Sequence, residues 1–534
     1  MAFTESDNSQ YQFSKNTQAE CGITGVLGKN SQDVSASVAL YQDRITNRGR
    51  DAAGMIGIDP QTGHFSIVKG RGRAKDVFEN VQFGPVGFFA DRAIGHNRYA
   101  TSFDDEEKGS DLGIQPIIAE YEGRSIAISY NGNLPDLMRS RLKDKIPSDM
   151  DPAPSDIDTY DIARAIISAT GETWEEKFQN AMGDIPLAYS LTILTDDGRL
   201  FGLRSPAGTW PLWFTETEDQ IILASESRVA PADENVWMSA QPGELIEATP
   251  DGVRRTQLLQ SLDAFHEQRC SLNDLYGARF DSLFMEEVTY YDFRVEVGRK
   301  MAELFPTDAD IVVGVPESGT AYADGYAEAM GKVAIEYIVK KRLADQEHDD
   351  NGSGKSFIAQ DHSAMVRMID GKFDIPNPAL GDISTLIRKK AVLIDDSMIR
   401  GNTMGGDVDE GALGVVARMR ASGVEDITLI LAADKFVEGC DQGYYIRKDQ
   451  LIAIQTLEDG TMIELTQDEI AAKMGVNKIH FFPTEALKDV YEKFTGDREC
   501  ACMACMGQPH PLEKIAKYES GVFPLKLYRD QKPN

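Results

Sequence analysis

The sequence predicts an α+β first half followed by an α/β second half with a parallel sheet. Three observations predict it. From residue 21 to about 260, short apolar runs bounded by Gly, Asp and Asn follow one another closely, as in CGITGVLG, DAAGMIGID and SIAISYNGNL, the mark of buried strands in a layered sheet. From 308 onwards the runs DADIVVGVP, KKAVLIDDS and ITLILAAD end in turn or acidic residues and alternate with helical stretches such as ALGVVARMRASG, the rhythm of a parallel sheet. The 534 residues are 42% hydrophobic and 26% charged, a globular composition long enough for two or three domains.

In chain order, the leader MAFTESDNSQYQFSKNTQAE (1–20) is polar. It has neither the basic start and apolar core of a signal peptide nor an Arg-rich transit pattern, so a cytoplasmic protein is expected. The strands of the first half continue through FSIVKG, AIGHNRYATS, AYSLTILTDDGRLFGLR, QIILASESR and GELIEATP. Helices around DTYDIARAIISA and TWEEKFQNAM interrupt them, giving an α+β or α/β/α sandwich. In the second half, QEHDDNGSGKS (346–356) has the composition of a mobile loop. No apolar run approaches the roughly 20 residues that a membrane span needs, so no membrane association is expected. The formal net charge is −31. A chain this acidic repels a nucleic-acid backbone unless it carries a basic stripe, and none is visible. Anionic substrates therefore require a local site that overrides the global field.

AVLIDDSMIRGNT (391–403) concentrates chemistry. An apolar strand ends in Asp395 and Asp396, at the edge where open α/β sheets bind ligands. Ser397, Arg400, Gly401 and Thr403 follow in a short loop before a helix. Backbone N–H groups in such a loop can cradle phosphate, and the paired acids can hold ribose hydroxyls or Mg²⁺. This spacing resembles the phosphoribosyl-diphosphate (PRPP) motif of type I phosphoribosyltransferases. VPESGTAYADGYA (315–327) is a second loop after a strand. The resemblance makes it the pyrophosphate loop and brings Ser318 near the metal. Lys340, Lys341, Arg342 and Lys355 are the cations that the sequence best places beside a diphosphate.

Six cysteines are present: Cys21, Cys270, Cys440, Cys500, Cys502 and Cys505. In a cytosolic chain of this size a disulfide framework is not expected, and the close trio at 500, 502 and 505 points to metal or redox chemistry. Cys21 stands apart. With CGITGV, the segments NRGRDAAGM (47–55), GHNRYATS (95–102), YNGNL (130–134) and SDIDTYD (155–161) occur in order. Together they resemble the glutamine amidotransferase domain of the N-terminal-nucleophile type. Joined to a PRPP loop, the whole from about 21 to 510 resembles the family of glutamine PRPP amidotransferases, iron–sulfur type.

The resemblance implies a four-layer αββα domain over 21–260, after a propeptide at 1–20. A Rossmann-like phosphoribosyltransferase domain would follow over 261–480, then a helix and cysteine-containing tail over 481–534. It implies cleavage between Glu20 and Cys21. A terminal nucleophile then carries its own base, an α-amine of pKa roughly 7.7–8.0. Cys21 would attack the glutamine side-chain amide, with the Asn131 side chain and the Gly132 N–H as oxyanion hole. Arg98 would grip the α-carboxylate, and Asp158 the α-ammonium, with Asp156 the competing choice. Arg48 matches a further arginine among the glutamine-binding residues. Ammonia would pass internally to the PRPP site and displace pyrophosphate, giving 5-phosphoribosylamine, the first step of de novo purine synthesis. Mg²⁺ at Asp395, Asp396 and Ser318 would neutralise the leaving group.

Cys270, Cys440, Cys502 and Cys505 match in order the four ligands of a structural [4Fe–4S] cluster. Zn²⁺ is also compatible with four thiolates, and Cys500 is extra. The family further implies a homotetramer and purine nucleotide inhibitors. The chain departs from the family at MGGDVDEGALG (404–414), where Asp407, Asp409 and Glu410 crowd a phosphate loop, and at GLRSPAGTWPLWF (202–214). Two alternatives stand beside the main reading: a divergent glutamine amidotransferase with another acceptor, and a PRPP-sensing regulatory homologue.

Overall fold

The computed structural model describes residues 21–60, 62–99, 111–230, 236–259, 267–340, 389–401, 412–444 and 446–513, with short backbone pieces at 373–374 and 406–407. The leader 1–20, the loop 346–356, Lys341, Arg342, Lys355, Thr403, Asp409 and Glu410 lie outside the described residues, and of Lys340 only the backbone is described.

The first half is built from two antiparallel sheets. One has seven strands, with Gly22–Gly28 near its centre between Gln220–Ala224 and Arg92–Arg98. The other has six, with Arg124–Gly132 beside Tyr189–Thr195. Alternation along each strand assigns its two faces. Ile23, Leu27, Ile56 and Ile94 meet Ala127, Leu194, Leu200 and Ile246 between the sheets. Val26, Met55, Ala93 and Ile222 turn outward under the helices Ser35–Arg44 and Ala74–Phe78. Ile126, Ile128, Leu191 and Ile193 turn outward on the second sheet, under the helices Asp136–Lys145, Asp158–Ser168 and Trp174–Met182. The layers therefore run helix, sheet, sheet, helix, as the resemblance implies. Each fully buried aliphatic side chain of these layers contributes about 1.5–3 kcal/mol relative to exposure.

The second half holds a five-stranded sheet, parallel throughout. Its spatial order is Ala334–Ile335, Ile311–Gly314, Lys390–Asp395, Asp426–Leu431, Lys478–Phe481. Val312, Val392, Ile394 and Ile430 pack under the helices Tyr290–Leu304, Ser318–Ala329 and Thr484–Thr495. Val313, Leu393, Leu429 and Leu431 pack on the other face, with the helices Val415–Ala421 and Gln467–Met474. The chain visits the second position first and then reverses past it, so the order changes between Ile311–Gly314 and Lys390–Asp395. Open α/β sheets bind ligands at such a switch point.

A short parallel ribbon, Arg269–Cys270 with Ala501–Cys502, ties the tail to the start of the second half, and the Cys270 N–H donates back across the boundary to the Thr209 carbonyl at 3.1 Å. Trp210 also crosses the boundary. Its ring nitrogen donates to the carbonyl of Gln442 at 3.0 Å, and its ring lies 5.9 Å from that of Tyr444. A Cβ at Gly443 would stand 1.9 Å from the indole, so only glycine admits the ring. The departure GLRSPAGTWPLWF is thus an anchor between the halves. Among the described residues no helix is long and apolar enough to cross a membrane.

Candidate functional site

Cys21 is wholly buried at the head of the strand Gly22–Gly28. Burial pushes its thiol up to about 12, against the pull of a hydrogen bond from the Tyr99 backbone and the charges of Arg98 and Arg48. A thiol held this high stays protonated at neutral pH, so attack needs a base at hand. Asn131 lies on the strand Arg124–Gly132, fully buried, and neither polar atom of its amide has a partner among the described residues. An amide buried with both ends unsatisfied costs free energy unless something else meets it. Gly132 follows with φ +151, where a Cβ would sit 1.9 Å from the carbonyl oxygen of Ala188.

Asp158 opens the helix Asp158–Ser168 and is buried. Its Oδ2 accepts from the Leu134 backbone at 3.2 Å. Burial raises its carboxyl to about 6, opposed by that hydrogen bond, by Arg139 and by the Tyr130 hydroxyl. Asp156 is 74% exposed and pairs with Arg139 and Lys143. Of the two acids that SDID offers, only Asp158 faces the interior. The charge of Asp158 reaches Cys21, and so does that of Arg98, which ends the strand Arg92–Arg98. A Cβ on Gly113 would meet the Arg98 guanidinium at 2.9 Å.

Arg48, expected among the glutamine contacts, is buried and turned inward. Its Nε donates to the carbonyl oxygen of Cys21 at 3.2 Å, and its Nη1 donates to Glu226 at 3.1 Å and Asn273 at 3.0 Å. It holds the backbone of Cys21. Sequence reasoning missed Glu226 and Asn273 because they lie far along the chain. It also missed His96, whose ring bonds the Tyr130 carbonyl at 3.2 Å, next to Asn131. Burial drives that imidazole down to about 3, so it works as a neutral group. The pattern GHNR was the available signal.

At the switch point, Asp395 ends the strand Lys390–Asp395. Its Oδ1 accepts from the Asp396 backbone at 2.9 Å and lies 3.5 Å from the hydroxyl of Ser318, the first residue of its helix. Ser397 donates to Asp396 at 2.6 Å. A Cβ on Gly319 would come within 2.4 Å of the carbonyl of Ile394, so this glycine lets the helix start against the strand end. Gly401 adopts φ +80. Arg400 is bonded to Gln450. Asp395, Asp396 and Ser318 form an oxygen-rich edge at a helix N-terminus, a donor set that suits a hard divalent cation.

The third cluster lies between the halves. Cys270, Cys440, Cys502 and Cys505 line one cavity of about 30 Å³, together with Trp210, Gln442 and His510. Burial raises the Cys270 thiol well above its ordinary value, and the charges of Cys440, Cys502 and Cys505 raise it further. Backbone N–H groups of Gln442 and Gly443 bond Cys440, and that of Asn273 bonds Cys270. Gathered sulfurs whose charges raise the thiols of Cys270, Cys440 and Cys505, while those three accept backbone hydrogen bonds, suit a cationic centre. Among the described residues, no three metal-ligating side chains gather closely enough to hold an ion by themselves. Cys500 is not of this set: it faces Thr495, with the sulfur 3.4 Å from the hydroxyl. None of the six cysteines is in a disulfide.

No family model matches the chain. The amidophosphoribosyltransferase of Bacillus subtilis is 24% identical over 521 residues, 97% of this chain and 96% of that one. That of Methanocaldococcus jannaschii is 26% identical over 513 residues, 92% and 98% of the two chains. Among solved structures, the glutamine PRPP amidotransferase from B. subtilis complexed with ADP and GMP matches with a TM-score of 0.72 at 22% identity, over 92% of this chain and 97% of that one. A structure of the allosteric regulatory enzyme of purine biosynthesis matches with a TM-score of 0.73 at 23% identity, over 92% and 96%. At that identity these two matches establish the shared fold.

Proposed function

The chain belongs to the amidophosphoribosyltransferase family, and on that premise we propose that it hydrolyses glutamine at Cys21 and delivers the ammonia to PRPP at the Asp395–Asp396 edge. The observation that carries the reading is the buried Asn131 amide, unsatisfied at both ends among the described residues, next to Tyr130, which the charges of Cys21 and Asp158 reach. A site built to hold a developing oxyanion has to keep such a donor in reserve, and one donor of this kind is typically worth about 10²–10³ in rate.

In this mechanism removal of residues 1–20 frees the α-amine of Cys21, which takes the thiol proton. The sulfur attacks the side-chain carbonyl of glutamine. Charge gathers on that oxygen, where the Asn131 amide and the Gly132 N–H stabilise it. Arg98 holds the α-carboxylate, Asp158 the α-ammonium, and Arg48 holds the backbone of Cys21. The α-ammonium returns that proton to the amide nitrogen, the C–N bond breaks, and ammonia leaves behind a γ-glutamyl thioester, which water cleaves to glutamate. Ammonia then attacks C1 of PRPP, the C1–O bond breaks, and pyrophosphate departs. Ser397, Arg400 and Gly401 would serve the phosphate loop, and the sequence motif adds Thr403, Lys340 and Arg342 as phosphate-binding residues. Asp395, Asp396 and Ser318 would hold a magnesium ion, which supplies charge neutralisation to the leaving pyrophosphate.

Cys270, Cys440, Cys502 and Cys505 would hold a [4Fe–4S] cluster with a structural task, tying the tail to both halves. We also propose a homotetramer, and nucleotide regulation of the kind that the relative solved with ADP and GMP suggests. The test supplies glutamine, Mg²⁺ and PRPP to the purified protein. Glutamate and PRPP-dependent pyrophosphate are expected in equal amounts. Glutamate without pyrophosphate would favour another acceptor, and neither product would favour a PRPP-sensing protein.

A further inference from the structure

Cleavage before Cys21 removes one of the two covalent anchors of the nucleophile, and chain ends fray unless something ties them down. The Arg48 guanidinium is that tie, through its 3.2 Å hydrogen bond to the Cys21 carbonyl. Arg48 is itself held from two sides. Glu226, from the first half, pairs with Nη1 at 3.1 Å, and both side chains are essentially inaccessible. Asn273 accepts from the same nitrogen at 3.0 Å and belongs to the second half of the chain.

Asn273 opens a single π turn, Asn273–Gly277, three residues after Cys270. Isolated π turns are rare and frequently sit at functional sites. This one is pinned at several points. The Asp274 carbonyl accepts from Arg294 at 3.0 Å, and the Asp274 carboxylate from Tyr491 at 2.9 Å. The Leu275 carbonyl accepts from Tyr322 at 2.7 Å. Tyr322 stands on the helix whose first residue, Ser318, faces Asp395. The side chain at 273 is neutral, which suits its place. Glu226 already balances Arg48, and a second buried carboxylate would leave the cluster negative and unpaired.

We propose that Asn273 is a positioning residue for glutamine hydrolysis: through Arg48 it fixes the backbone of Cys21, so that the π turn of the phosphoribosyl half sets the nucleophile of the other half. The proposal rests on the reading of Cys21 as nucleophile. Asn273→Leu keeps the shape and removes the acceptor, and Asn273→Ser is the milder second variant. A hydrogen bond to a charged group is at stake, so glutamate release should fall about 10- to 100-fold in kcat, with little change in KM for glutamine. Pyrophosphate release driven by added ammonia bypasses Cys21 and should stay at the parent rate. In an Arg48→Lys background either substitution should add no further loss, because both act through the same contact.

Parent-like glutamate release in both variants would overturn the proposal. So would an equal loss of the ammonia-driven reaction in both, or additive losses with Arg48→Lys. Cys21→Ala, assayed alongside, tests the nucleophile by itself. Retained glutamate release there removes that reading, whereas its loss there beside unaffected Asn273 variants removes only the positioning role.

Discussion

In the proposed mechanism Asp158 serves binding as a buried carboxylate, at the expense of stability. Its folded-state pKa of about 6 lies above its ordinary value of 3.8. The folded protein therefore holds this proton more tightly than the unfolded chain does. The contribution to stability is complete below the unfolded value and is lost as pH rises through about 6. Glutamine binding runs the other way, because only the ionised form attracts an ammonium. Glutamine kcat/KM should fall tenfold per pH unit below the α-amine's value of roughly 7.7–8.0 and about a hundredfold per unit below about 6, while ammonia-driven turnover, expressed per unprotonated NH3, should lack both limbs. Asp158→Asn should abolish glutamine use yet raise stability at pH 8 by up to about 3 kcal/mol, read by urea unfolding. Gly132 is constrained by space: with a Cβ only 1.9 Å from the Ala188 oxygen, Gly132→Ala should cost roughly 3 kcal/mol or more in the same measurement. At this scale the sequence showed residue types and order but not direction. SDID offered two acids, and burial separates Asp158 from Asp156. Arg48 read as a glutamine-binding residue, and its bonds to Glu226 and Asn273 were not legible because these stand 178 and 225 positions away.

At the scale of elements, the strands were the legible part. Gly22–Gly28, Ala52–Ile58, Lys390–Asp395 and Asp426–Leu431 each fall inside an apolar run bounded by turn residues. The helix Ser35–Arg44 was not legible, because SASVALYQDR carries only a few bulky apolar residues and is helical through its packing on the sheet. The helix Ser318–Ala329 illustrates how position creates chemistry. Gly319 allows it to begin against the strand that ends in Asp395. Gly319→Ala should push the two apart, raise KM for PRPP, and leave glutamine hydrolysis measured without PRPP near the parent rate. The segment 202–214 looked like a loss of family pattern in sequence. In the fold it carries Trp210 into the second half, a role invisible without Gly443 across from it.

At the scale of the molecule, Trp210 from the first half and four cysteines from three stretches of the second line one cavity. Spacing suggested the set, and the structure adds why Cys500 is outside it: its sulfur faces Thr495. Cys440→Ser should lower iron and sulfide content together and reduce the melting temperature of the whole chain. Iron and sulfide analysis with calorimetry checks both. Unchanged metal content in that variant would remove Cys440 from the ligand set.

The ribbon that pairs Cys270 with Cys502 also orders events in time. Synthesis delivers the first half to the solvent well before the tail, and domains fold as units as they emerge. Both sheets can thus form on the ribosome while the strand Ala501–Cys502 is still inside the exit tunnel. The thiol cavity cannot close until the last stretch is released. The thiol cavity is therefore completed after the contact between Arg48 and Asn273, whose residues are made earlier.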